Sequence, residues 1–280
     1  MHTFTYKHFI VFSLLQIVFL ADLQAEPSRF GVHVDIAPEI SHISYDEPGV
    51  MKESGSMYGF SVSSIYRAEK GLGPVDMFRA DFTGTWGRVD YSSTQSGNMN
   101  GIKDSMFEAR ALAGADIASG GTFLLTAFIG FGYRQLNDYA GGMVSEEGYG
   151  GYDRQSNYRY TPIGIEVASG INNNWTLGAV AEYDYFWSGT QRSAITQANN
   201  ESYTYSGNLK NSQHDGYGLR ASVKAVRRLD SFSLAFEPFV RYWKLDNSKL
   251  DIVLINGVPA KFIEPGNSST QYGLKVSLLY

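Results

Sequence analysis

The chain has 280 residues and a net charge of −5, with 19 Tyr, 17 Phe and 30 Gly but no Cys. Lack of cysteine excludes a disulfide framework, a thiolate zinc site and a thiol nucleophile, and the mildly acidic balance gives no reason to expect nucleic acid. Mean hydropathy is slightly negative, too polar for a helical membrane protein but natural for a transmembrane barrel, whose strands alternate lipid-facing and lumen-facing residues.

Lys7 and an apolar run over residues 9–21, followed by small Ala25, read as a cleaved secretory signal peptide over residues 1–25. That run is short for a membrane span, which needs roughly 20 apolar residues. The exported part is then residues 26–280, one barrel domain. From there an apolar/polar alternation of period two recurs in ten segments. In chain order their apolar faces carry Phe30 to Ile36, Tyr58 to Tyr66, Phe78 to Trp86, Phe107 to Ala113 and Phe123 to Tyr133. The remaining five carry Ile163 to Val167 with Tyr158 and Tyr160 near one end, Leu177 to Trp187, Tyr217 to Ala225, Phe232 to Tyr242, and Tyr272 to Tyr280. Short turns near residues 70–74, 119–121, 172–174 and 228–230 alternate with longer polar connections near 43–54, 90–103, 137–155, 189–213 and 246–268. That asymmetry is expected of an outer-membrane barrel with short periplasmic turns and long outer loops.

The residues between the apolar positions carry Arg79, Asp81, Glu108, Arg110, Asp116, Arg134, Glu166, Glu182, Asp184, Arg220, Lys224, Glu237, Arg241 and Lys275. A soluble protein's core would not hold so many charges, because each unpaired buried charge is costly. A polar lumen accommodates them, and their balanced signs imply ion pairs that tie a narrow interior shut. Aromatics near the strand ends, including Tyr58, Tyr66, Trp86, Tyr133, Tyr158, Trp187, Tyr217, Tyr242 and Tyr280, suit girdles at the two headgroup levels.

The last strand alternates through Tyr272, Leu274, Val276 and Leu278 and stops on Tyr280. This ending resembles the signal by which bacterial outer-membrane barrels engage their assembly machinery, and the chain as a whole resembles porin-like outer-membrane β-barrels. Ten strands with five outer loops are also similar to omptins, the outer-membrane proteases. Omptin catalysis uses an acidic pair in the second outer loop and an Asp/His pair in the fourth. Here the second loop offers Asp90 and Asp104 far apart, and the fourth lacks Asp-x-His, so the resemblance assigns no catalytic residue.

Acid-base candidates are His33, His42 and His214. His33 and Asp35 share the inward face of the first strand as a lumen pair, whereas His214 and Asp215 are neighbours that point to opposite faces of a strand. Glu146, Glu147 and Asp153 in the third outer loop lack any calcium-loop spacing and read as a solvated acidic loop. Tyr149, Tyr152, Tyr158 and Tyr160, with Tyr203 and Tyr205 of the fourth loop, form either a surface that binds glycans, lipopolysaccharide or a host surface, or an aromatic cap over the mouth.

The expectation is an all-β transmembrane up-and-down barrel of about ten strands with five long extracellular loops, exported to the cell outer membrane. Its role is structural or surface-binding and non-enzymatic, with no catalytic residue, cofactor or metal. An omptin-like hydrolase and a narrow or gated pore are the alternatives. Its partners are outer-membrane lipid and lipopolysaccharide, the barrel-assembly machinery, and a surface glycan or host ligand at the outer loops, with no nucleic acid.

Overall fold

The computed structural model describes residues 30–120 and 123–279. The expected signal peptide, residues 1–25, and the terminal Tyr280 lie outside the described residues. The alternating segments form β1 (Gly31–Glu47), β2 (Met51–Leu72), β3 (Val75–Ser93), β4 (Gly97–Gly120), β5 (Phe123–Tyr139), β6 (Asp153–Asn172) and β7 (Trp175–Ser193). They continue as β8 (Leu209–Gln213), β9 (Gly216–Arg228), β10 (Ser233–Leu245), β11 (Asp251–Ile255), β12 (Val258–Phe262) and β13 (Asn267–Leu279).

Every neighbour in the wall is antiparallel, and β1 closes the ring by pairing with both β2 and β13. Strands β8 and β9 both pair with β7, end to end, so they are one wall strand broken at residues 214–215. The wall therefore has ten strands, and β11–β12 is a separate hairpin in the last outer connection. Among the described residues no helix is long and apolar enough to cross a membrane, which says nothing of a barrel.

The register fixes the barrel's shape. Directly opposed residues run from Val32 through Tyr66, Phe78, Ala113, Ile129, Ile163, Tyr183, Leu219, Tyr242 and Thr270, and return to β1 at Ser44, twelve residues along. With standard strand spacings, that stagger in a ten-strand ring tilts the strands by about 40° and sets a backbone radius of about 10 Å. Such a bore is small enough for side chains to fill.

All these opposed residues point outward. Phe60, Phe82, Ile129, Ile165, Leu219, Phe236 and Leu278 form an exposed apolar belt, while charged residues take the alternate, inward positions. An exposed apolar surface this continuous is stable only against acyl chains, so the barrel spans a membrane. Tyr58, Trp86, Tyr185, Trp187 and Tyr272 edge the belt on the long-connection side.

Two expectations need correction. Tyr158 and Tyr160 belong to the lumen, with 5% and 0% exposure, because they stand an odd number of residues from outward Ile163 and so share the opposite face. Beyond the belt the strands also run on into the expected loops: residues 48–50 and 94–96 alone join β1 to β2 and β3 to β4. Backbone ladder bonds continue there regardless of side-chain polarity, so hydropathy marks the edge of the belt and not the end of a strand.

Candidate functional site

The lumen is filled in layers. In the lower layers Arg67 reaches Asp116 at 2.6 Å, and Lys224 pairs with Asp35. Arg79 bridges Asp81 at 2.9 Å and Glu166 at 2.8 Å. Above them Arg110 joins Asp81 at 2.8 Å to Glu182 at 2.6 Å, and Arg220 reaches Glu108 at 2.6 Å, Asp184 at 2.7 Å and Glu182 at 3.1 Å. Arg241 meets Glu39 at 3.1 Å, and Lys275 stands 3.8 Å from Glu237. The network thus gathers thirteen of the fourteen expected lumen charges. It also recruits Arg67, Glu39 and Asp35. Arg67 and Glu39 belong to strands whose apolar partners drew attention to the other face, although strict alternation would have placed both inward.

The fourteenth, Arg134, is 1% exposed and pairs with no carboxylate among the described residues. Its guanidinium lies 5.6 Å from the centre of the Trp243 ring, a cation–π contact. Trp243 is the hub of an aromatic layer in which Tyr160 packs edge-on at 5.0 Å and Tyr158 at 5.6 Å, with Phe186 and Leu245 completing the cluster. The Tyr160 hydroxyl donates to Glu108 at 2.8 Å and so joins the layer to the ion network. Gly132 and Gly218 make room for it. A Cβ on Gly132 would stand 2.2 Å from the Tyr160 ring, and one on Gly218 would stand 3.0 Å from Trp243.

Above the aromatic layer, five carboxylates converge at the mouth around one arginine. Arg154 pairs with Glu53, with Asp138 at 2.6 Å and with Glu47 at 3.7 Å. Asp104 lines the same recess of about 50 Å³. The Tyr45 hydroxyl lies 2.8 Å from Glu47 and 3.2 Å from Glu264. Glu264 is buried at the foot of the last outer connection, where its amide donates to the Ser248 hydroxyl at 2.8 Å. Burial and the neighbouring Glu47 push its carboxyl up to about 7.

The outer connections fold over this mouth as a cap. Ile195, Leu209 and Val253 form its core, with Tyr152, Tyr205 and Phe262 packed against them. The fourth connection and the β11–β12 hairpin are stitched together by backbone bonds from Ser206 to Leu254 at 3.0 Å and from Asn256 to Thr204 at 2.9 Å. The aromatic-loop expectation therefore splits: Tyr152 and Tyr205 are cap packing, whereas Tyr149 and Tyr203 are 55% and 53% exposed. Leu250, Ile252 and Val258 of the last outer connection are also exposed, at 61%, 60% and 67%, with Ile252 and Val258 on opposite faces of the β11–β12 hairpin.

The acid-base candidates do not converge. His42 packs on Tyr272 at the outer wall, 5.5 Å between rings, and His214 is exposed at the break between β8 and β9. Asp35 is engaged by Lys224. Asp90 faces outward, whereas Asp104 lines the mouth recess. Glu146 accepts from Asn98 at 2.8 Å, and Asp153 accepts from the Gly141 amide at 2.9 Å, so these two acids serve separate loop contacts.

No family model matches the chain, and no curated protein matches its sequence. Among solved structures it is similar to the outer-membrane protease OmpT from Escherichia coli, with a TM-score of 0.54 at 9% identity, over 90% of this chain and 97% of that one. It also aligns with the translocator domain of the autotransporter NalP from Neisseria meningitidis, with a TM-score of 0.39 at 14% identity over 89% and 88% of the two chains. The fold is that of outer-membrane β-barrels.

Proposed function

We propose that the protein is a closed, non-enzymatic barrel of the outer membrane whose work is done by its cap at the cell surface. The observation that carries this reading is the double closure of the lumen by the Arg110/Arg220 ion network and the Trp243 aromatic layer. A narrow bore filled by paired charges leaves no wide water path, so diffusion is a poor use of the fold. The short turns, the start of β1 and the end of β13 then lie on the periplasmic side, and the cap faces outward. Leu250, Ile252, Val258, Tyr149 and Tyr203 remain exposed on the cap. Apolar and aromatic residues left in water on these outer connections favour binding of a glycan or host ligand there.

Two measurements test this reading. The refolded protein should be silent in planar bilayers, and reproducible single-channel conductance would replace the closed scaffold with a pore. Binding to an array of surface glycans and host matrix proteins should fall in a Tyr149→Ser/Tyr203→Ser/Ile252→Ser variant. Equal binding by both proteins would remove the cap from the argument.

The rim carboxylates favour a second reading, an omptin-like hydrolase. Against it, Glu53 and Asp138 have side chains 8% and 11% exposed beneath the cap, and both are held by Arg154. Peptide cleavage that is abolished by Asp138→Asn would establish that reading.

A further inference from the structure

We propose that the outer wall of β2–β4 holds the phosphate group of a membrane lipid between Arg88 and Lys103. These two residues are directly opposed across the β3–β4 ladder, and both point outward into the exposed wall. Like charges in that relation destabilise a sheet unless an anion lies with them. Neither residue takes part in an ion pair of 4 Å or less among the described residues.

The site is shaped as well as charged. Gly101, at φ +73, forms part of an irregularity in the β3–β4 pairing and turns its carbonyl to accept from Arg88 Nη1 at 2.7 Å. That bond fixes the guanidinium while leaving its other donors available. Asp90 is the acid on the same face, and its Oδ1 is occupied by the Gly101 amide at 2.8 Å. Asp104 also borders the groove, but it lines the mouth recess on the inner side as well.

An open groove of about 940 Å³ surrounds the pair, lined by Ser56, Tyr58, Trp86, Arg88, Lys103 and Tyr139. Trp86 stands two residues below Arg88 on the same face, so the cations sit directly beyond the aromatic edge of the belt. Lipid phosphates lie at this level, and the aromatic floor runs on into the acyl-facing wall. The occupant is therefore a phosphate attached to a lipid and not a soluble anion.

Native mass spectrometry of the refolded full chain tests the site, with dioleoyl phosphatidic acid and dioleoylglycerol as probes differing only in the phosphate. The wild type should retain the phosphatidic acid and release the diacylglycerol. Arg88→Gln/Lys103→Gln should lower retention about tenfold, the loss expected for two charge-assisted contacts at an exposed site. Lys244→Gln/Lys249→Gln, which removes the same charge elsewhere on the outer end, should leave retention unchanged. Heat-modifiable migration on gels checks that each variant is folded.

Equal loss in both double variants, equal retention of diacylglycerol, or displacement by millimolar inorganic phosphate would each overturn the proposal. Cap binding and conductance are read separately, so the failure of the cap reading leaves this result unaffected.

Discussion

Arg220 shows how much a single side chain in this lumen controls. It faces Glu108, Glu182 and Asp184, whose side chains are 4%, 1% and 0% exposed. Arg220→Met fills similar volume but leaves three buried carboxylates short of a cation. It should cost about 3–5 kcal/mol, read as a lowered urea midpoint in lipid vesicles. Glu264 provides a second test at this scale, through pH. Its carboxyl is held at about 7 against an ordinary value of 4.5, so the native state binds the proton more tightly than the unfolded chain. Its contact at the foot of the cap is unpenalised below about 4.5, weakens as pH rises and carries its full penalty above about 7. Hydrogen exchange of residues 246–266 should accelerate across that window, and Glu264→Gln should flatten the dependence.

Strand β13 illustrates what one element's alternation decides. Leu274 lies on its outer face, opposed to Ile40 on β1 and Pro238 on β10, within the apolar belt. Leu274→Arg places a charge against acyl chains and should destabilise the barrel by about 2–4 kcal/mol. The check is an unfolding titration in vesicles beside Lys275→Gln, whose site faces the lumen. On β5, Gly132 matters for what it lacks, because the Tyr160 ring occupies the space of a Cβ. Gly132→Ala should displace that ring and loosen the aromatic layer, seen as altered near-ultraviolet circular dichroism with unchanged strand content. Alternation made the facing of Leu274 legible in the sequence. The same rule, applied from Ile163, would have turned Tyr158 and Tyr160 inward, but an aromatic near a strand end matches a girdle residue equally well in composition.

For the whole molecule, the twelve-residue stagger around ten strands sets a bore that the inward side chains fill. The Trp243 layer then lies across the bore between the charged lower lumen and the acidic mouth. A Tyr158→Ala/Phe186→Ala/Trp243→Ala variant should conduct in planar bilayers where the wild type is silent, and silence in both would place the closure in the ion network. The sequence by itself determined the ten alternating segments, the outward apolar belt and the inward charges, because each is a local consequence of a two-residue period. It could not determine which charge meets which. Arg220 and Glu108 are 112 residues apart in the chain and become neighbours only when the ring closes with its stagger. The mouth cluster arises in the same way, from β1, β2, β4, β5, β6 and the foot of the last connection. Tertiary structure alone decided it, because strand tilt carries residues from distant segments to one height above the membrane.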